Sequence, residues 1–157
     1  MAKFGSVFES SERSDWETPQ DIFDKLNDEF HLTFDVCADQ NNTKVENYFF
    51  SEEQDGLTQD WYGVCWMNPP FKDKKKWIEK AYKESLKDST IVVCLIPART
   101  NTNWWHQYCM KGEIRFICGR PKFKGAIHGL PQPLAIVIFG RAYKGGSCKS
   151  FYLNQCV

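Results

Sequence analysis

The 157-residue sequence predicts an α/β fold: a three-layer sandwich whose sheet is mainly parallel, with one antiparallel strand at an edge. Two apolar runs, at residues 64–67 and 91–97, are typical of parallel strands that are buried on both faces. Segments of helical periodicity alternate with strands through the middle of the chain, as they do when helices cover a sheet. Near the end, two strands follow each other without a helix between them, which favours the antiparallel strand.

The first predicted helix runs from Pro19 to about Phe30. Thr18 is a good N-cap residue, and Pro19 suits the first helical position because the N–H group that it lacks would have no helical partner there. The helix places four apolar side chains on one face: Ile22, Phe23, Leu26 and Phe30.

Two short strands are predicted next, over residues 32–39 and 45–50. The first carries Asp35 and breaks into a polar loop. Only 33 residues separate Asp35 from Asn68, which is too few for two complete crossovers. We therefore expect some helices in this region to be reduced to loops.

The second half of the chain alternates more regularly. Strands are predicted at 64–67, 90–97, 114–118, 134–139 and 151–153, with helices at 72–86 and 103–110. The helix at 72–86 is expected to bury Trp77, Ile78, Ala81, Tyr82 and Leu86. Residues 1–14 have no periodicity and are expected to form a flexible arm, so that residues 15–157 form the single domain.

The composition argues against a membrane protein and against a disulfide framework. No apolar run approaches the roughly 20 residues of a membrane span, and no apolar signal core follows the N-terminus. The seven cysteines are scattered, without a Cys-x-x-Cys pair. His106 and Cys109 lie one helical turn apart, but the four-ligand spacing of a zinc site is missing. We expect a cytoplasmic protein that binds no metal and contacts no membrane.

The formal net charge of zero hides a strong asymmetry. Residues 1–60 contain 15 acidic and 4 basic residues, a net charge of −11, whereas residues 61–157 contain 5 acidic and 16 basic residues, a net charge of +11. Solvated faces alone can produce such a pattern. The functional interpretation is a basic surface for nucleic-acid phosphates in the second part of the chain.

The most informative stretch is Asn68-Pro69-Pro70-Phe71, directly after a buried strand. The prolines end the strand and make a rigid loop at its carboxyl end, which is where open α/β sheets bind ligands. The Asn68 side-chain oxygen and the Pro69 carbonyl both accept hydrogen bonds. These groups suit the planar amine of a nucleobase, although a tight turn after a core strand would have the same sequence.

Six short motifs occur in a characteristic order. They are Trp16-x-Thr18-Pro19, Phe34-Asp35-Val36-Cys37-Ala38, Asp55-Gly56-Leu57 with Trp61, Asn68-Pro69-Pro70-Phe71, Leu95-Ile96-Pro97-Ala98-Arg99-Thr100, and Gly119-Arg120-x-x-Phe123. With them the chain resembles, over about residues 15–140, the small phage and prophage DNA N6-adenine methyltransferases of the Dam-like group. The resemblance implies a Rossmann-like methyltransferase sandwich with shortened crossovers, S-adenosylmethionine as methyl donor, and DNA as partner.

The resemblance also implies a donor site on the acidic part of the chain. The donor pocket would be lined by Thr18, Pro19, Asp35, Cys37, Ala38 and Asn68. Asp39 and Asp55 are the candidates for the ribose hydroxyls and the adenine amine, and Leu57 for packing on the adenine ring. The motif at residues 34–38 lacks the glycines of the wider methyltransferase pattern.

The catalytic residues implied are Asn68, Pro69, Pro70 and Phe71. Asn68 and Pro69 would accept the N–H groups of a flipped adenine, and Phe71 would stack on the base. The candidate DNA contacts are Lys72, Lys74, Arg99, Arg120, Lys122 and Lys124.

Other activities fit the same loop. Asn-Pro-Pro-aromatic loops also serve the methylation of RNA bases and of protein glutamine, since each target is a planar amine. A catalytically silent DNA-binding module is a further alternative. The basic second part favours nucleic acid, and the sequence leaves the oligomeric state open between a monomer and a weak dimer.

Overall fold

The described part of the chain folds around a mixed sheet of six strands, accompanied by three helices. The structure is a computed structural model that describes residues 17–124, 129 and 132–153, apart from the side chain of Phe71. The arm predicted at residues 1–14 lies outside the described residues. In chain order the elements are α1 (Gln20–Phe30), β1 (Phe34–Asp35), β2 (Gly63–Met67), α2 (Lys74–Glu84), β3 (Thr90–Pro97), α3 (Asn103–Gln107), β4 (Glu113–Ile117), β5 (Leu134–Phe139) and β6 (Cys148–Phe151).

The strands lie in the order β1-β2-β3-β5-β4-β6. β1, β2 and β3 are parallel to one another, β5 is antiparallel to both of its neighbours, and β4 and β6 are parallel. The prediction of an antiparallel strand at an edge was therefore wrong in its position. The crossover through α3 leaves a place one strand wide between β3 and β4. Because β5 enters that place from the edge where β4 ends, without another crossover helix, it runs antiparallel to both.

Alternate side chains of β3 point to opposite faces of the sheet, and each face has its own apolar cluster. Val93 and Leu95 belong to a cluster with the buried side chains of α1. Val92, Cys94 and Ile96 belong to the other cluster, which contains the buried side chains of α2 and α3. α1 therefore packs against one face of the sheet, and α2 and α3 pack against the other.

The connection between β1 and β2 contains only turns, as its shortness predicted. The prediction of a strand at 45–50 was wrong, because that segment forms a single isolated β-bridge, between Asp35 and Phe49. The strand predicted at 32–39 is reduced to Phe34–Asp35. The cause is local, since the polar residues that follow bond within their own turn, and Asn47 adopts a left-handed conformation with φ of 65° that interrupts extended structure.

The helices differ from the predictions mainly at their ends. α1 buries the four predicted side chains but begins at Gln20, after Pro19, and Thr18 makes no capping hydrogen bond. α2 ends at Glu84, and Leu86, predicted to be buried, is 55% exposed. The helix predicted at 103–110 is divided into α3 and a 3₁₀ turn, and the last strand lies at 148–151 rather than 151–153. None of the helices in the described ranges is long and apolar enough to cross a membrane.

Candidate active site

β1 and β2 end side by side at one edge of the sheet. Asp35 pairs with Trp66, and Val36 extends the pairing by donating its N–H to the Trp66 carbonyl at 3.0 Å. Asn68, two residues further along, therefore lies against the loop that follows Asp35. β3 is parallel to β2, so its carboxyl end reaches the same edge.

A small polar pocket of about 50 Å³ lies at this edge. Both carboxyl-end loops contribute to it, together with the segment that precedes α1. Its lining residues are Glu17, Thr18, Asp35, Cys37, Asn42, Lys44, Trp66, Asn68 and Pro70.

Asn68 is held through both its side chain and its backbone. Its Nδ2 donates a hydrogen bond to Thr18 Oγ1 at 3.0 Å, and its carbonyl accepts one from the Cys37 thiol at 3.1 Å. Thr18 is buried, with 4% of its surface exposed. In this arrangement the Asn68 amide nitrogen faces Thr18 and occupies the Thr18 hydroxyl, which does not cap α1. Pro69 and Pro70 then restrict the backbone that follows.

Asp35 is a buried carboxylate with 3% of its surface exposed. Its two oxygens accept the backbone N–H groups of Lys44, at 3.2 Å, and of Cys37, at 3.4 Å. Burial raises the pKa of Asp35 to about 6, although these two N–H groups and the Lys44 charge favour the ionised form. Burial also raises the pKa of the Cys37 thiol well above its usual value, so Cys37 acts here as a hydrogen-bond donor.

Glu17 joins three segments of the chain. Its carboxylate accepts Lys44 Nζ at 3.0 Å and Lys124 Nζ at 2.9 Å, and its backbone forms a bridge with Lys124. The hydrogen bonds from Lys124 and Lys44 lower the pKa of Glu17. Lys44 also donates to Gln20 Oε1 at 3.0 Å, so it is fixed between Glu17 and α1.

Four of the nine predicted donor residues meet at this pocket. Thr18, Asp35, Cys37 and Asn68 line it, whereas five others do not: Pro19, Ala38, Asp39, Asp55 and Leu57. Asp39 is exposed and accepts hydrogen bonds from Asn41 and Asn42 in its own turn. The Asp55 carboxylate likewise accepts the backbone N–H of Leu57, at 3.1 Å.

Four lining residues were missed from the sequence: Glu17, Asn42, Lys44 and Trp66. Glu17 directly precedes the predicted Thr18-Pro19 motif, so its position next to that motif could have indicated it. Asn42 and Lys44 lie in a polar stretch that had the pattern of an ordinary loop, and Trp66 had the pattern of a core residue.

The candidate DNA contacts lie on the segments that follow β2, β3 and β4 at the same edge of the sheet; Lys72 is in the 3₁₀ turn before α2, and Lys74 is the first residue of α2. Lys72 and Arg99 are exposed, and the pKa of Lys74 is lowered by burial and by the positive charge of Arg99. β4 runs in the direction of β3, because β5 is antiparallel to both, so the loop after β4 also leaves from this edge. Three exposed side chains on that loop complete the group: Arg120, Lys122 and Lys124.

Phe71 begins a 3₁₀ turn that leads into α2. Its side chain, predicted to stack on a base, lies outside the described part of the structure. Within the described stretches no group of three His, Cys, Asp or Glu side chains is arranged to hold a metal ion, and the six described cysteines are free thiols.

Comparison with known proteins gives a consistent result. A family model described as DNA N-6-adenine-methyltransferase (Dam) matches residues 5–135. A DNA N-6-adenine-methyltransferase of Haemophilus phage HP1 (strain HP1c1) is 32% identical over 156 residues, which cover 92% of this chain and 88% of the relative. A DNA N-6-adenine-methyltransferase of Escherichia phage T1 is 29% identical over 94 residues, 57% of this chain and 38% of that relative.

Proposed function

This chain belongs to the Dam family of DNA N-6-adenine-methyltransferases, and from that premise we propose that it methylates the N6 amine of adenine in DNA at the loop that begins with Asn68. The observation that carries this proposal is the Asn68 amide, held by Thr18 at the mouth of a polar pocket where three parallel strands end. Residues of three of the six sequence motifs line that pocket: Thr18, Asp35 with Cys37, and Asn68 with Pro70.

The exocyclic amine of adenine is a weak nucleophile, because its lone pair is delocalised into the ring. Two acceptors that hold both N–H groups favour a more tetrahedral nitrogen and make the lone pair available. We assign this role to the Asn68 side-chain oxygen and the Pro69 carbonyl. The hydrogen bonds to Thr18 and Cys37 hold Asn68 before the substrate arrives, which is the preorganisation that electrostatic stabilisation requires.

In a base pair one N–H group of the adenine amine is bonded to thymine, so the two acceptors can hold both N–H groups only after the target adenine is flipped out of the duplex. Phe71 is proposed to stack on the flipped base, a contact worth roughly 1–3 kcal/mol. In the proposed transfer the N6 lone pair would form a bond to the methyl carbon as the bond between that carbon and the sulfonium sulfur of the donor breaks, which would leave a neutral thioether. The two acceptors would stabilise the positive charge that N6 gains, and one N–H proton would then be lost to solvent.

Membership of the family implies S-adenosylmethionine as co-substrate, which supplies a methyl group on a sulfonium cation. The pocket fits this chemistry, because a buried carboxylate, Asp35, lies in its wall beside Asn68. We propose that Thr18, Asp35 and Cys37 hold the donor here and that Pro19 and Ala38 shape the adjoining backbone. Asp39, Asp55 and Leu57 remain proposals for its adenosine part, which would have to extend beyond this pocket.

We further propose that the sheet and its helices form a three-layer Rossmann-like sandwich within a single domain at residues 15–157. The packing of α1 on one face and of α2 and α3 on the other supports it. No metal is proposed to take part in the reaction. Because the substrate is DNA, we infer that the protein acts in the cytoplasm of a bacterial cell.

The proposed activity is tested by transfer of a tritiated methyl group to unmodified duplex DNA, single-stranded DNA and RNA, followed by nucleoside analysis. N6-methyldeoxyadenosine is the expected product. A methylated guanine, cytosine, ribonucleoside or glutamine as the main product would overturn the assignment. Binding of the donor without transfer to any of these would favour a silent module.

The role of Asn68 is tested in the same assay. Asn68→Ala removes one acceptor and is expected to lower the turnover number at least about 100-fold, the scale measured for single preorganised groups. Asn68→Asp keeps an acceptor oxygen of the same reach, to which the Thr18 hydroxyl can donate, and should retain part of the activity. Both variants should stay folded, as a cooperative melting transition shows, and should still bind the donor in calorimetry. Full activity of Asn68→Ala would contradict the mechanism.

A further inference from the structure

We propose that Lys44, which the sequence did not single out, binds the carboxylate of the donor's amino-acid end. The inference rests on the proposed function, because it requires S-adenosylmethionine to occupy the pocket beside Asn68. It assigns a residue and a subsite: one ammonium group in the pocket wall for one carboxylate of the ligand.

The position of Lys44 suits this role. Its side chain is only 7% exposed, and it lines the pocket together with Asp35 and Asn68. An ammonium group has three N–H donors. Two of them are used, by Glu17 Oε1 and Gln20 Oε1, each at 3.0 Å. The same two contacts fix Nζ in place, so a third acceptor can bind without ordering a flexible side chain.

The charges in the pocket match those of the donor's reactive half. S-adenosylmethionine carries a sulfonium cation, an ammonium cation and a carboxylate anion. The pocket wall offers the reverse: the carboxylates of Glu17 and Asp35 and the ammonium of Lys44. Lys44 is the one cationic side chain among the described residues that line the pocket, so it is the group that can neutralise the ligand's carboxylate.

The size of the pocket points to the same end of the molecule. Its volume of about 50 Å³ is far below the 300–1,000 Å³ of sites that enclose a complete small molecule. The polar lining suits an amino-acid group rather than an adenine ring. The nucleoside therefore lies outside this pocket, and the methyl group lies between the two, near Asn68.

The competing role for Lys44 is structural: it holds Glu17, and through Glu17 the loop that carries Lys124. The two roles differ in what they predict for a ligand without a carboxylate. A structural lysine affects every ligand of the pocket equally, whereas a carboxylate-binding lysine affects only ligands that carry that group.

The experiment measures dissociation constants by calorimetry for S-adenosylmethionine and for its decarboxylated analogue, which keeps the sulfonium and the amine. The wild type is expected to bind S-adenosylmethionine about tenfold more tightly than the analogue, as a hydrogen bond between charged groups implies. Lys44→Met should bind the two ligands about equally tightly, because its affinity for S-adenosylmethionine falls while its affinity for the analogue is unchanged. Lys83→Met, which removes an exposed lysine paired with Glu79 on α2, should keep the tenfold preference.

Each outcome has a definite meaning. Retained binding of the analogue shows that Lys44→Met is folded and that its pocket is intact. An equal loss for both ligands, or no loss for either, would overturn the role of Lys44 while leaving the proposed function standing. Failure of the wild type to bind either ligand would overturn the donor assignment itself, and the inference with it.

Discussion

At the scale of single residues, Asp35 is the group of the site whose burial costs the most free energy. A carboxylate with 3% of its surface exposed must lose its hydration, and two backbone N–H groups compensate only in part, so its pKa rises from 3.8 to about 6. Among the described residues no salt bridge neutralises Asp35, and a buried carboxylate of this kind is typical of a functional site, where a ligand supplies the opposite charge. In the donor site proposed above, the cationic groups of the donor would supply it.

This cost gives the stability of the protein a specific pH dependence. Below pH 3.8 Asp35 is protonated in both the folded and the unfolded state, so its burial carries no ionisation penalty. As the pH rises to about 6 the unfolded state loses its proton first, and the folded state is progressively destabilised. Above about pH 6 the full penalty is present, at most about 3 kcal/mol from 1.36 kcal/mol for each pKa unit.

Asp35→Asn removes this titration. The free energy of unfolding of the variant, relative to the wild type, is expected to increase by up to about 3 kcal/mol between pH 3.5 and pH 7. Urea unfolding of both proteins across that range measures the difference. A difference that is constant with pH, or that changes in the opposite direction, would contradict the elevated pKa.

At the scale of elements, the sequence predicted best where the apolar pattern was long. The faces of α1 and the bounds of β3 and β5 agree with the structure, because each combines a clear period with enough residues to dominate its surroundings. The connection from β1 to β2 was not predictable in the same way. Its conformation depends on side chains such as Asp39 that bond within a turn, and Lys44 reaches the site only because that connection folds back.

The position of the antiparallel strand was also beyond local patterns. The apolar composition of β5 does not distinguish an edge position from an interior position in the sheet. Its place follows from the order of connections across the sheet. The place of the loop at residues 68–71 was predictable for the opposite reason: its two prolines end the strand whatever packs around them, whereas its catalytic role stays a prediction.

Glu84, at the end of α2, is a second residue whose role depends on the tertiary structure. Its carboxylate accepts the backbone N–H of Trp61 at 2.9 Å and hydrogen bonds from Lys80 and Lys87, and its side chain is only 8% exposed. α2 is thereby attached to the residues that lead into β2. This also explains why Leu86, rather than Glu84, faces solvent.

Glu84→Ala leaves the N–H of Trp61 buried without its acceptor and is expected to lower the free energy of unfolding by about 2 kcal/mol. Lys76→Ala is the control on the same helix, because Lys76 pairs with the exposed Asp73, and a pair of that kind contributes about 0–1 kcal/mol. Urea unfolding of the two variants makes the comparison. Equal effects would show that Glu84 does not anchor the helix.

At the scale of the whole molecule, both the acidic and the basic part of the sequence contribute residues to one edge of the sheet. The acidic first part provides Glu17 and Asp35 to the pocket, and the basic second part provides the loops after β2, β3 and β4. A cationic donor and an anionic DNA can therefore approach neighbouring parts of the same edge. Lys124 is common to both sides, since it lies on a basic loop and pairs with Glu17.

DNA binding should depend on the basic loops through their number of phosphate contacts. Arg99→Ala and Lys122→Ala are each expected to weaken binding to duplexes of any sequence and to reduce the slope of log K against log salt by about 0.9. Lys124→Ala should have a smaller effect than Lys122→Ala, because Glu17 already neutralises Lys124. Lys144→Ala is the control: this exposed lysine follows β5, whose end lies at the opposite edge of the sheet, so affinity and slope should stay unchanged. Fluorescence anisotropy over a range of salt concentrations measures all four variants. If Lys144→Ala reduced the slope as much as Arg99→Ala, DNA would have to contact the opposite edge, and the two-sided arrangement proposed for the active edge would be wrong.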